Sequence, residues 1–382
     1  MDFALTKQQN KLVDSVRKFC ESNFSLDYAM ELDKTETFPA DLYRKAAKQG
    51  FSSLFIPEKY GGGGQGYIAA CLAMEEMCRV DSSLGLACMI GTFGSDMLLL
   101  FGTEEQKTKY LAPLCQGETV SAAAFTEPSR GTDISIVDTT AVKQGKSWTI
   151  NGTKTLITNA PIANFFIVLC QTASTTAPRK SQSVIIVDKK TNGLTVKKLQ
   201  NKMGIRCVPT GEVTFKDVKV PENNLIGKQN NGYSQAIDFF TVSRTIIAAQ
   251  AVGTAQGALE VAVKYAKQRE SAGQAIIKFQ QIGAKMAQVA SEIEAARMLT
   301  YKAALSIDQN KVDPMLTSMA KLVASKAAVR ATDSAIQTLG GYGYLADYKV
   351  ERAYRDAKVT EIYEGTSEIQ RLAILKQLIK SY

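Results

Sequence analysis

The apolar positions change their spacing twice along the chain. In the first 120 residues they recur at helical intervals. Leu5, Leu12, Val13, Val16 and Phe19 share one face of a helix predicted from Asp2 to Phe19. The same period predicts helices over Pro39–Gly50, Gln65–Val80 and Leu84–Phe101. Thr103 followed by Gln106 reads as a capping box at a further helix start.

Between about residues 121 and 230 the helical period is lost. Short β-rich runs replace it: Trp148-Thr149-Ile150, Phe165 to Leu169, Ser183 to Val187 and Glu212 to Phe215. Asn151-Gly152, Asn192-Gly193 and Pro209 punctuate them, which predicts a small β-barrel or sandwich. From about 231 to 382 long Ala-rich helical segments return over Ser243–Arg269, Phe279–Ile307 and Pro314–Leu339. Pro314 is placed at a first helical turn, and short connections predict an antiparallel bundle. The expected class is therefore a multi-domain α+β protein: helical 1–120, β 121–230, helical bundle 231–382.

At 382 residues the chain exceeds what one core usually supports. No continuous apolar run reaches the ~20 residues of a membrane span. The N-terminal stretch reads as the start of the fold and not as a signal, and Lys380-Ser381-Tyr382 is no targeting address. A cytoplasmic location is expected, though a matrix protein freed of its leader would look the same. The seven cysteines form no C-x-x-C pair and sit in apolar neighbourhoods, so reduced, buried thiols are expected and no metal site. The net charge of +9 is spread along the chain, which disfavours a nucleic-acid partner and suits phosphate-bearing ligands.

Histidine is absent, which removes Ser-His and Cys-His machinery and histidine acid-base chemistry together. Proton transfer must fall to Glu, Asp, Lys, Tyr or a cofactor. Gly61-Gly62-Gly63-Gly64-Gln65-Gly66 satisfies G-x-G-x-x-G literally, but Pro57 and Glu58 precede it where a strand is required. It reads as a turn. Ile362-Tyr363-Glu364-Gly365-Thr366-Ser367 is more informative. A carboxylate set among apolar residues gains a raised pKa and becomes a candidate general base. The alternative is a surface glutamate at a helix start.

Several segments, in order and across the whole chain, resemble the acyl-CoA dehydrogenase family. They are Ile56-Pro57-Glu58-Lys59-Tyr60-Gly61-Gly62, Phe125-Thr126-Glu127-Pro128, Gly131-Thr132-Asp133, Ile157-Thr158-Asn159, Lys202-Met203-Gly204, Phe215 to Pro221, Phe279-Gln280, Gln337 to Tyr344, and the Glu364 motif. The resemblance implies a C-terminal four-helix bundle, bound FAD, and α,β-desaturation of an acyl-CoA thioester. Glu364 would take the α-proton while the flavin takes the β-hydride.

Members that carry their base on the first bundle helix place it just before an arginine. Here Ser243 precedes Arg244, and serine cannot serve, so the role falls to Glu364. The resemblance further assigns Thr132, Thr241, Ser243, Arg244 and Gly365 to substrate. To the cofactor it assigns Phe125, Thr126, Gly131, Thr132, Leu156, Thr158, Arg269, Phe279, Gln280, Gln337, Gly340, Gly341, Thr366 and Glu368. It implies an electron-transfer flavoprotein as partner and a homotetramer. Enoyl-CoA reduction by the same site, and a carrier-protein-bound substrate, stay open. Five departures stand out: Leu156 where an aromatic residue is usual, Ala272 and Ala275 where Phe and Pro are usual, Glu368 where Gln is common, and Arg130 in place of a small residue.

Overall fold

The computed structural model describes residues 4–173 and 177–381. The N-terminal part is helical: α1 (Lys7–Asn23), α2 (Leu26–Thr35), α3 (Ala40–Lys48), α4 (Gly66–Val80), α5 (Ser82–Met89), α6 (Ser95–Phe101) and α7 (Glu104–Cys115). The first helix starts later than its apolar period suggested, because Thr6 and Gln9 form a reciprocal capping box; Asp2 lies outside the described residues. The second predicted capping box, Thr103 with Gln106, is present. The run predicted as one helix over Leu84–Phe101 is two: α5 ends at Met89, a 3-10 turn follows over Ile90–Thr92, and Gly94 at φ +99° redirects the chain into α6.

The glycine run at 61–66 is a turn. A Cβ on Gly62 would lie 2.2 Å from the Ile56 carbonyl oxygen, so the chain folds back on itself there. The α4 N-terminus behind it is occupied by the Asp308 carboxylate, which accepts from the amides of Tyr67 (2.6 Å) and Ile68 (3.0 Å). The donors that would greet a phosphate are already used.

The middle part holds β1 (Ser121–Ala124), β2 (Thr140–Gln144), β3 (Ser147–Thr158), β4 (Phe165–Gln171), β5 (Gln182–Asp188), β6 (Leu194–Leu199), β7 (Thr210–Pro221) and β8 (Leu225–Ile226). They form one sheet in the order β6-β7-β3-β2-β4-β5-β8, with β1 parallel to β4. Alternate residues of β4 serve two cores. Phe165, Ile167 and Leu169 pack with α6 and α7 residues such as Leu98 and Leu111. Phe166, Val168 and Cys170 pack with Trp148, Ile150, Val213 and Phe215, so the sheet folds over itself as a sandwich. β3 carries two register shifts against β7, and the second, between Lys154 and Ile157, contains Leu156.

The C-terminal part holds α8 (Gly232–Gln268), a short hairpin of β9 (Glu270–Ser271) and β10 (Gln274–Ala275), α9 (Gln280–Asp308), α10 (Pro314–Leu339), α11 (Val350–Lys358) and α12 (Ser367–Ser381). α8 begins well before Ser243, where it was expected to start. Its centre, from Thr241 to Gly253, is almost wholly buried among α4, α9 and α10. By length and average hydropathy Ser82–Phe101 and α8 could cross a membrane, although neither is one continuous apolar run. Most of each window (78% and 67%) is buried inside the protein, as a core helix would be. All seven cysteines are free and buried.

Candidate active site

The site begins with a turn that no ordinary residue favours. Glu364 has φ +56° and Gly365 φ +88°, two consecutive left-handed residues between the end of α11 and the start of α12. For a glutamate that conformation costs roughly 1–2 kcal/mol. It persists because both carbonyls are pinned. The Glu364 carbonyl accepts from Arg244 Nε (3.2 Å) and Gln370 Nε2 (3.1 Å). The Gly365 carbonyl accepts from Lys321 Nζ (2.7 Å) and Gln370 Nε2 (2.8 Å). A Cβ on Gly365 would lie 2.8 Å from the Gln370 side-chain amide and displace the donor that holds the turn, so glycine suits the position by closeness as well as by φ.

The turn aims the Glu364 side chain inward, to 8% exposure. The surface-glutamate alternative is thereby set aside. Ser243 on α8 donates its hydroxyl to Glu364 Oε2. Burial pushes the carboxyl up to about 7; Ser243, Arg244 and Lys321 oppose that rise, and Asp96 adds to it. Arg244 is itself buried, with Nη1 3.3 Å from Ser318 Oγ, and burial lowers its pKa against the pull of Glu364. A desolvated carboxyl poised near neutrality, held by one hydroxyl, can take and return a proton.

Phe125 links this centre to the sheet. Its ring stands edge-on to Phe239 and Phe240, each 5.5 Å away, one helical turn before Ser243. That ring is 4% exposed and its carbonyl accepts from Lys154 Nζ at 3.0 Å, so Phe125 is committed to packing. Lys154 also pairs with Glu127 at 2.8 Å, with both side chains buried. Glu127 in turn accepts from the amides of Asp138 and Thr139. This buried pair, absent from the sequence expectation, staples the 125–139 loop to β3.

The loop presents Thr126 half-buried, and Gly131 and Thr132 exposed. Thr155 donates to the Thr126 carbonyl (2.9 Å), which brings Leu156 and Thr158 of β3 alongside. Leu156 has φ +57° and is 64% exposed. A bulge that turns a large apolar side chain outward is a costly arrangement of the kind found beside binding sites.

Another group of expected residues lines a groove of about 450 Å³ at the far end of α8 and α10. Arg269, Gly340 and Gly341 lie on its walls with Tyr265, Ser271 and Tyr342. A Cβ on either glycine would meet nothing within 4 Å. Gln337 is exposed at the end of α10. Phe279 packs partly into the core beneath Gln280, which is exposed at the first position of α9. Thr366 accepts from the Ile369 amide (3.4 Å) as a cap of α12, and Glu368 is exposed and paired with Arg371 at 3.0 Å. Thr241 is buried and its hydroxyl donates to the Ile237 carbonyl, away from Glu364.

The chain matches three family models in succession: the acyl-CoA dehydrogenase N-terminal domain over residues 6–118, the middle domain over 122–218 and the C-terminal domain over 230–379. The chain belongs to the acyl-CoA dehydrogenase family. An acyl-CoA dehydrogenase of Bacillus subtilis (strain 168) is 42% identical over 376 residues, covering 98% of this chain and 99% of that one. The solved butyryl-CoA dehydrogenase from Megasphaera elsdenii superimposes with a TM-score of 0.95 at 37% identity, covering 99% and 100% of the two chains. A chain solved in work on the electron transferring flavoprotein of Acidaminococcus fermentans gives a TM-score of 0.96 at 39% identity, with both chains fully covered.

Membership of this acyl-CoA dehydrogenase family implies a flavin cofactor. The residues here fit one. The 125–132 loop offers half-exposed hydroxyls beside the outward Leu156, and the Arg269 groove offers a guanidinium beside two glycines with open space above them. Sequence reasoning missed Lys321, Gln370 and Ser318. Lys321 had a readable signal: it falls on the apolar stripe of α10 with Ala320, Ala324 and Ala328.

Proposed function

We propose that the protein is an FAD-dependent acyl-CoA dehydrogenase in which Glu364 removes the α-proton of an acyl-CoA thioester. The observation that carries this reading is the buried Glu364 carboxyl, pushed up to about 7 and contacted by Ser243 where other family members place their base. FAD, when bound, would supply the acceptor for the β-hydride. Thr126, Gly131, Thr132, Leu156 and Thr158 would hold it at the sheet, with Thr366 and Glu368, while Phe125, whose ring and carbonyl are engaged in packing, would support that edge from within. Arg269, Phe279, Gln280, Gln337, Gly340 and Gly341 would hold its dinucleotide.

The protein's own residues do the rest. The burial of Glu364 limits water's access to its carboxyl. Ser243 orients the carboxylate, and Arg244 holds the turn beneath it. Thr132, Thr241, Ser243, Arg244 and Gly365 remain the proposed substrate-facing set, although the Thr241 hydroxyl is engaged with its own helix. The Glu364 backbone amide would donate to the thioester oxygen, where negative charge develops.

Electrons would pass to an electron-transfer flavoprotein. The segments 1–120, 121–230 and 231–382 would act as domains of a homotetramer in the cytoplasm. The test is to purify the protein, identify its flavin, and add short-, medium- and branched-chain acyl-CoAs without oxygen. Bleaching of the yellow colour by one class supports the reading and names the substrate. A colourless protein that cannot be reconstituted with FAD contradicts it.

A further inference from the structure

Lys321 is a buried cation that its hydrogen bonding does not explain. It sits on the inner stripe of α10 with no exposed surface. Its ammonium donates to the Gly365 carbonyl at 2.7 Å. Among the described residues, no carboxylate lies within ion-pair distance of it. Yet that carbonyl is already satisfied by Gln370 Nε2 at 2.8 Å. A neutral side chain of similar volume would therefore leave no backbone group unpaired, and burying an ammonium without a close counter-ion is costly. Something else in the site must gain from the charge.

The charged groups that face Lys321 are Glu364 and Glu361 from the segment around the turn, Glu368 from α12 and Arg244 from α8. Of these, Glu364 is the one buried carboxyl. We propose that Lys321 is a positioning residue for the base: anchored on the Gly365 carbonyl next to Glu364, its ammonium sets a positive charge beside the buried carboxyl that favours the ionised form. This rests on the reading of Glu364 as the base. Two opposing influences then set the carboxyl. Burial and Asp96 on α6 disfavour its charge, while Ser243, Arg244 and Lys321 favour it. Burial in turn pushes Lys321 down to about 8, so its own proton is held less firmly than an ordinary lysine's. Above that pH the charge fades while the Gln370 bond to the turn remains.

The test separates the charge from the hydrogen bond. Lys321→Gln keeps a donor and loses the charge; Lys321→Arg keeps both. The titration of Glu364 is read directly, in flavin-loaded protein without substrate, as the infrared carboxyl band that disappears in Glu364→Gln. Because this readout needs no turnover, it stands whether or not any acyl-CoA is oxidised. Loss of a nearby cation should move the Glu364 midpoint upward by about one pH unit in Lys321→Gln. Lys321→Arg should bring it back towards the wild-type position. A Lys321→Gln midpoint equal to that of the wild type, in protein that melts cooperatively and retains flavin, would overturn the proposal. So would a shift of the same size in Lys321→Arg, which would assign the effect to packing.

Discussion

The Ser243 hydroxyl donates to Glu364 Oε2 across the gap between α8 and the turn before α12. The serine on α8 thus engages the carboxylate proposed as the base. A hydroxyl donor favours the charged carboxylate, and a bond of this kind is worth about 1.5–3 kcal/mol. Ser243→Ala should therefore raise the Glu364 pKa. The acid limb of the flavin-reduction rate should move up by about one pH unit, since one unit is 1.36 kcal/mol. Rates well above that limb should change little. A pH–rate profile of the variant with an unmoved acid limb would show that the contact is incidental.

Burial makes Glu364 a stability cost with a definite sign. Its carboxyl titrates near 7 in the folded protein against an ordinary 4.5, so the folded state binds that proton more tightly than the unfolded chain does. Below pH 4.5 the penalty is absent; it grows as the pH rises to 7 and is complete above. At its largest it is worth about 3 kcal/mol. Glu364→Gln should accordingly melt above the wild type at pH 8, with the gap shrinking at pH 5. Melting curves at the two pH values check this, and a gap of equal size at both would argue against a raised pKa.

Arg244 holds the base turn through Nε and reaches Ser318 through Nη1. Lysine carries the charge but cannot make both contacts from one atom. Arg244→Lys should leave the acid limb near its wild-type position while lowering the maximal rate roughly tenfold, if one net hydrogen bond of about 1.4 kcal/mol is lost. Comparing the height and the position of the pH profile separates these effects. An undiminished maximal rate would mean that the turn does not need the guanidinium.

Leu156 is held left-handed and mostly exposed at a β-bulge. Glycine would adopt that backbone without strain, releasing roughly 1 kcal/mol. Leu156→Gly should make the flavin-free protein more heat-stable and should weaken flavin retention, because the outward apolar side chain is lost. Melting of the apoprotein and fluorescence of released flavin measure the two effects. Unchanged retention would remove Leu156 from the cofactor site.

Much of this was legible in the sequence, and the gaps have physical causes. The order of helices, sheet and helices follows from the change in apolar period, and Pro314 marks a helix start correctly. The break over Ile90–Gly94 was hidden because the apolar pattern runs on through it. Glu364, Gly365, Ser243 and Arg244 were named together and do meet, since the motif and the helix carry distinctive residue types. Lys321 and Gln370 were missed because their importance lies in which carbonyls they reach. Those carbonyls are exposed to them only by two successive positive-φ residues, a feature that glycine reveals at 365 and glutamate conceals at 364. The Lys154–Glu127 pair was missed for a similar reason: a lysine in a strand reads as surface until its neighbours are known.

The central claim is that Glu364 removes the substrate proton, and rapid mixing tests it most directly. Flavin-loaded wild type and Glu364→Gln are mixed without oxygen with an acyl-CoA that bleaches the wild type. General-base catalysis of this kind contributes typically 10²–10⁴-fold, so the variant should keep its flavin, still bind the acyl-CoA, and bleach slower by roughly that factor or more. A Glu364→Gln protein that bleaches at the wild-type rate would contradict the account.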